Sequence, residues 1–142
     1  MAGVENHHNF AWKELYNGEE VIVHRKGATP AGKGVMGIIP GSMTAPGFLV
    51  RGKGEEKAIN SAAHGAGRQM SRSKAVKNIS RDQMRKVLAD HNVILIGAGL
   101  DEAPMAYKDI NMVMAAQKDL VDIVASFTPK IVRMANDGSR ED

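Results

Sequence analysis

The segment SRDQMRKVLADHNVILIGAG, residues 80–99, marks where the character of the chain changes. Ser80 with Gln83 three positions later is a capping-box signature. The hydroxyl accepts from an amide of the first turn, and the glutamine side chain reaches back to the cap. Met84, Val87, Leu88 and His91 then recur at the spacing of one helix face. A histidine closing a helix is favoured by the dipole, so His91 is given no chemistry. NVILIGAG (92–99) follows as a short buried strand running into a glycine turn.

Upstream of this segment the pattern is different. EEVIVH (19–24), VMGII (35–39) and GFLVR (47–51) are β-rich runs bounded by Gly or Pro. Downstream, Asp109 is read as the N-cap of a helix reaching about Phe127. Ile110, Val113, Met114, Leu120, Val121 and Val124 then share one face. PKIVRM (129–134) is read as a last strand and residues 136–142 as a disordered polar tail. Short strands and glycine-rich loops in the first half, with helices packed on sheet in the second, predict an α+β fold.

A chain of 142 residues buries roughly two-thirds of its unfolded surface, enough for one domain or part of one. No apolar stretch approaches a membrane span and MAGVENHHNFAWKE (1–14) lacks a signal-peptide layout, so a cytoplasmic protein without a membrane partner is expected. The absence of cysteine fits a reducing compartment and removes any thiolate ligand or thiol nucleophile. A net charge of +3 permits a polyanionic partner without requiring one. Three Phe, two Tyr and one Trp do not supply the stacking surface of the common single-strand RNA binders. The nine methionines read as adaptable core fillers.

The histidines divide into contexts. In ENHHNF (5–10), His7 and His8 are neighbours and would point to opposite faces of a strand, so they do not share an ion. One of them is a candidate metal ligand with the adjacent Asn as its polar partner; a hydrogen-bonded surface pair is the other reading. His24 in VHRKGAT (23–29) reads as a strand residue beside a solvated basic turn. GATPAGKG (27–34) satisfies the first seven positions of a P-loop, but the eighth, which must offer a hydroxyl to Mg²⁺, is Gly34. The Gly- and Pro-interrupted VMGIIPGSM that follows cannot form the phosphate-holding helix, so the P-loop is rejected.

SAAHGAGRQMSR (61–72) is richer. His64 has small neighbours that leave room beside the imidazole, and Arg68 and Arg72 share a face if the segment is helical. Imidazole is a competent nucleophile towards phosphorus and arginines complement an anion, so a reactive site and a structural turn both fit these residues.

Taken together and in this order, NHHN, HRKGAT, IPGSM, SAAHGAGRQMSR and DEAPMAYKDI resemble the C-terminal half of RtcB-type RNA-splicing ligases, from about Glu5 to Ala135. The resemblance implies that residues 1–135 are the C-terminal catalytic portion of such a ligase, a fragment of the full enzyme. The implied activity joins RNA 2′,3′-cyclic phosphate or 3′-phosphate ends to 5′-hydroxyl ends, as in tRNA processing and RNA repair. It uses GTP, as a covalent histidine–GMP intermediate, and two Mn²⁺ ions. By motif, His64 is the guanylylated nucleophile, His8 the Mn²⁺ ligand and Asn9 a guanylate contact. Pro40, Gly41, Ser42, Met43, Gly65, Ala66 and Gly67 line the nucleotide pocket, with Tyr107 beside them. Arg25, Arg68 and Arg72 are implied contacts for RNA phosphate or triphosphate.

Three departures from the family pattern stand out. The family's cysteine ligand and further histidines are not matched in this chain. Gly47 stands where some members place a polar pocket residue, and Arg133 stands near the usual lysine, which it replaces imperfectly. The expected partners are RNA with broken or spliced ends, such as tRNA halves, GTP, and a separate N-terminal half or an activating protein. The alternative reading is a non-catalytic guanine-nucleotide or RNA-binding module that completes a split ligase.

Overall fold

The computed structural model describes residues 3–7 and 9–134. Its strands are β1 (Asn9–Tyr16), β2 (Glu19–Lys26), β3 (Ala28–Pro30), β4 (Met36–Ile39), β5 (Gly47–Gly52), β6 (Ser61–Ala63), β7 (Ile94–Gly97), β8 (Val121–Phe127) and β9 (Ile131–Arg133). The helices are α1 (Arg72–Asn78), α2 (Arg81–Asp90) and α3 (Ile110–Ala116), with short 3₁₀ turns between elements. The fold is α+β, as the sequence predicts. Two compact units can be distinguished. One comprises Met1–Pro40, Gly47–Gly65 and Asn111–Ser126, the other Gly41–Pro46, Ala66–Ile110 and Phe127–Asp142. His8 and the predicted tail at 136–142 lie outside the described residues.

In the first unit β1 and β2 form an antiparallel hairpin in register from Asn9↔Lys26 to Tyr16↔Glu19. Its turn is Asn17-Gly18, both at positive φ (50° and 79°), the conformation a two-residue hairpin needs and this dipeptide tolerates. β3 pairs antiparallel with β6, and β4, β5 and β8 form a three-stranded sheet with β5 in the middle. Ile39, Phe48, Val50 and Ala62 are buried there, each large side chain contributing about 1.5–3 kcal/mol of transfer free energy.

In the second unit the capping box forms as read: Ser80 Oγ accepts from the Gln83 amide at 3.1 Å and Gln83 Oε1 accepts from the Ser80 amide at 2.8 Å. Met84 and Leu88 of α2 then pack with Met43, Ala75, Ile79 and Ala106 in one core. β7 and β9 pair in parallel against that core, through Leu95 and Val132.

The long helix expected from Asp109 to Phe127 is not observed. α3 stops at Ala116, Gln117–Leu120 turn, and the chain re-enters the sheet as β8. The apolar residues of VDIV suit either period, and β-branched side chains with a sheet neighbour decide for the strand. The Lys53 amide donates to Leu120 O at 3.0 Å, and Lys53 Nζ reaches Asp122 at 3.3 Å. Gln117 is buried and its Oε1 accepts from the Ala63 amide at 2.9 Å, which fixes the turn.

Candidate functional site

The short β3–β6 ladder brings two of the singled-out motifs together. Ala28 faces Ala63, Thr29 faces Ala62 and Pro30 faces Ser61, so HRKGAT and SAAHGAG run side by side. The pairing extends one step beyond the strands, where the His64 amide donates to Gly27 O at 3.1 Å. His64 thus leaves the end of a strand with its backbone pinned and its side chain half-buried. Its chain neighbours are Ala63 and Gly65. Gly65 lies close to the Pro40 carbonyl, which would be 3.5 Å from an added Cβ, so the PGSM turn begins beside the histidine loop.

Two other expected residues of this unit have partners of their own. Arg25 is 3% exposed. Its Nη1 and Nη2 grip both carboxylate oxygens of Glu14 at 2.6 and 3.0 Å, Nε donates to Ser61 Oγ at 2.6 Å, and Nη2 donates to Ile59 O at 2.9 Å. The guanidinium also lies 5.3 Å from the centre of the Trp12 ring. It clamps the hairpin to the segment that leads into β6, a structural use rather than a solvent-facing one. Asn9 Oδ1 sits 3.2 Å from His24 Nε2 across the β1–β2 pair. Gly47 is buried at the start of β5.

The second unit holds the remaining candidates. Gly41 is required by its turn, since a Cβ there would fall 2.3 Å from Pro46 O. Ser42 O accepts from the Ala45 amide at 3.3 Å, while the Met43 side chain is buried in the hydrophobic core, which leaves only its backbone for a ligand. Ala66 is buried and Gly67 is exposed at φ +73° with open space where a Cβ would stand. Arg133 is exposed on β9, opposite Gly97.

Arg68 and Arg72 are not on one helix, because 64–71 is irregular and α1 begins at Arg72. They converge nevertheless, on a carboxylate the sequence reading did not single out. Arg68 Nη2 donates to Glu102 Oε1 at 2.8 Å and to the Tyr107 hydroxyl at 3.0 Å, and Nη1 donates to Asp101 O at 2.6 Å. Arg72 Nη1 reaches Asp101 Oδ2 at 2.6 Å and also Glu102 Oε1. Tyr107 donates its hydroxyl to the other oxygen of Glu102 and stacks under Arg68, 4.8 Å from ring centre to guanidinium. Backbone bonds from Gln69 to Ala106 O and from Lys108 to Gly67 O, both 2.9 Å, tie the same two segments.

The electrostatics follow from this layout. Burial, and then the bond to Glu102, push the Tyr107 hydroxyl up to about 12, so it is a neutral donor at any physiological pH. Hydrogen bonds to Asp101 and Glu102 hold the Arg72 guanidinium above its ordinary value. Two arginines face two carboxylates, so the cluster is close to neutral and its outward-facing member is Arg72.

Among the described residues no group of three or more His, Cys, Asp or Glu is placed to hold a metal ion. These residues do not by themselves fit a Mn²⁺ pair. A cavity of about 430 Å³ opens between α2 and β7, with Arg81, Met84, Arg85 and Leu95 among its walls, and none of the expected site residues lines it. Among the described residues no helix is long and apolar enough to cross a membrane.

These parts define an α+β chain with a glycine-flanked histidine loop laddered to the GAT of HRKGAT in one unit and an arginine–carboxylate–tyrosine cluster in the other. The family model described as "tRNA-splicing ligase RtcB" matches residues 1–135, and the chain belongs to that family. It is 49% identical over 124 residues to the RNA-splicing ligase RtcB of Escherichia coli K12, and 50% identical over 124 residues to an RNA-splicing ligase RtcB1 of another Escherichia coli strain. Each match covers 87% of this chain and 30% of the relative. It is 38% identical over 135 residues to the tRNA-splicing ligase RtcB of Nanoarchaeum equitans, covering 80% of this chain and 28% of that protein. The chain therefore spans less than a third of the length of these relatives.

Proposed function

We propose that this chain carries the guanylate-accepting histidine of an RtcB-type RNA ligase and that His64 is that residue. The observation that carries the reading is the family match across residues 1–135, with His64 inside it on a pinned, half-buried loop among small residues. Bound GTP supplies an electrophilic α-phosphorus. The neutral ring nitrogen of His64 forms the P–N bond and pyrophosphate leaves. GMP then passes to an RNA 3′-phosphate, and an RNA 5′-hydroxyl displaces it to close the strand.

The loops Pro40–Met43 and His64–Gly67 are assigned to the nucleotide, with Asn9, Gly47, Tyr107 and Arg133 as further contacts. Positioning and charge neutralisation dominate phosphoryl transfer, which is the work assigned to Arg68 and Arg72. Arg25 acts through the scaffold, because its donors are committed inside the protein. His8 is assigned as a Mn²⁺ ligand whose companions come from the part of the ligase outside this span, and the setting is cytoplasmic RNA processing.

The test combines the chain with the remainder of an RtcB ligase, GTP, Mn²⁺ and RNA bearing a 2′,3′-cyclic phosphate and a 5′-hydroxyl. Joined RNA that disappears with His64→Ala is the expected result. Absence of joined product in every combination would sink the ligase reading. GTP retention without joining would identify a nucleotide-binding module instead.

A further inference from the structure

We propose that the cavity between α2 and β7 seats one base of a single-stranded stretch of RNA away from the end that is joined. The flanking phosphates meet Arg81 and Arg85, and the strand continues along the cationic residues of α1 and α2. Residues 72–91 hold six Lys or Arg against two Asp, a net +4 where the whole chain carries +3. The positive charge of the protein is therefore concentrated on these two helices of the second unit, and the remainder is slightly acidic. Lys74, Lys77, Arg81, Arg85 and Lys86 are all exposed. Of the six cations only Arg72 and Arg85 meet a carboxylate among the described residues. The Arg85–Asp82 pair, at 4.0 Å with both side chains exposed, holds little. Four cations thus stand without a neutralising partner among the described residues, a basic footprint suited to a polyanion.

The cavity is a second, independent feature. Its volume of about 430 Å³ is in the range of small-molecule pockets. Arg81, Met84, Arg85 and Leu88 line it at the i, i+3, i+4 and i+7 positions of α2, one face of that helix. Met84 and Leu88 are 4% and 3% exposed, so the face combines an apolar floor with two charged, solvent-reaching side chains. Leu95 and Ile96 of β7 form the facing wall.

An occupant must be apolar or planar within the cavity and anionic outside it. A single-headed amphiphile would use Arg81 and Arg85 alone and leave Lys74, Lys77 and Lys86 unused, whereas a strand of phosphates uses the whole row. Arg81 and Arg85 stand one helical turn apart, about 6 Å along the axis, close to the separation of successive phosphates in one nucleic-acid strand. A guanidinium plane stacks on a base, which replaces the aromatic platform this composition lacks. That the polyanion is RNA rests on the ligase reading. The test needs neither GTP nor Mn²⁺ nor a phosphate end, so failure of the His64 chemistry leaves it standing.

The full chain is titrated into a labelled single-stranded RNA of about ten nucleotides with hydroxyls at both ends, and anisotropy is read at several salt concentrations. Arg81→Gln with Arg85→Gln is expected to weaken binding about tenfold and to lower the salt slope by about 1.4, two contacts at ~0.7 each. Ala89→Phe, at an exposed position that lines the cavity, is expected to weaken binding and leave the slope unchanged. An abasic oligomer of the same length is expected to bind the unmodified chain about fivefold or more weaker. Lys13→Gln, an exposed cation of the β1–β2 hairpin, is expected to change nothing. Circular dichroism checks that each variant folds, and the abasic comparison on the unmodified chain decides if one does not. Equal binding of the abasic oligomer, unchanged affinity in the double variant, or an equal loss with Lys13→Gln overturns the proposal. So does free AMP competing as well as the oligomer, which would make the cavity a mononucleotide site.

Discussion

Arg25 and Arg72 both meet a glutamate, but their side chains are 2% and 45% exposed. In the first unit the guanidinium is enclosed by Glu14, Ser61, Ile59 and Trp12 and serves as a clamp. In the second, Arg72 shares Asp101 and Glu102 with Arg68 and keeps a solvent-facing side. The same residue type therefore sits in opposite settings, and burial together with the number of committed donors tells the two apart.

The largest effect is expected of Arg25→Met. It leaves Glu14 without its bidentate partner and should cost about 2–4 kcal/mol, below the full penalty of a deeply buried pair because Glu14 is 30% exposed. Urea unfolding followed by the fluorescence of Trp12 would show it, and Arg25→Lys should recover only part, lacking the fork. An unchanged midpoint would remove the clamp. Glu102→Ala comes next, with an expected loss of about 2–3 kcal/mol in chemical unfolding, since Arg68 and Tyr107 both lose their acceptor. Glu102→Gln, which keeps the shape, should lose about half as much.

Tyr107 sharpens the contrast through pH. Its raised value means the folded chain keeps a proton that the unfolded chain has lost between pH 10 and about 12. The neutral hydroxyl's contribution is thus complete below pH 10 and fades as pH rises through that window. Phenolate absorbance of a Tyr16→Phe variant isolates the group, and titration at the ordinary value would contradict its burial against Glu102. The smallest stability effect is expected of Arg72→Ala, under ~1 kcal/mol by thermal unfolding because the pair is screened by solvent. That same variant should weaken binding of RNA 3′-phosphate ends, measured by fluorescence anisotropy, whereas a loss of stability without loss of binding would make Arg72 a second clamp.

Much of the scaffold was legible. The β-rich runs at 19–24, 35–39 and 47–51 lie in β2, β4 and β5, and the Ser80–Gln83 capping box opens α2, because local spacing and side-chain capping are properties of a few adjacent residues. The β1 strand went unread although Asn17-Gly18 announced its hairpin. The 109–127 helix failed because Leu120, Val121 and Val124 satisfy helical spacing, while the pairing that makes 121–127 a strand comes from β5, far away in sequence. For the site, the motif residues could be named from their order, but Glu102 could not. Its partners Arg68 and Arg72 lie 34 and 30 positions away, a distance at which only the folded chain reports contact. The fate of Arg25 was hidden for the same reason.

Guanylylation of His64 is read from the intact mass of the chain after incubation with GTP and Mn²⁺, alone and together with the remainder of an RtcB ligase. Addition of one GMP that is absent in His64→Ala is expected. No adduct under either condition, or an adduct that survives His64→Ala, would contradict it.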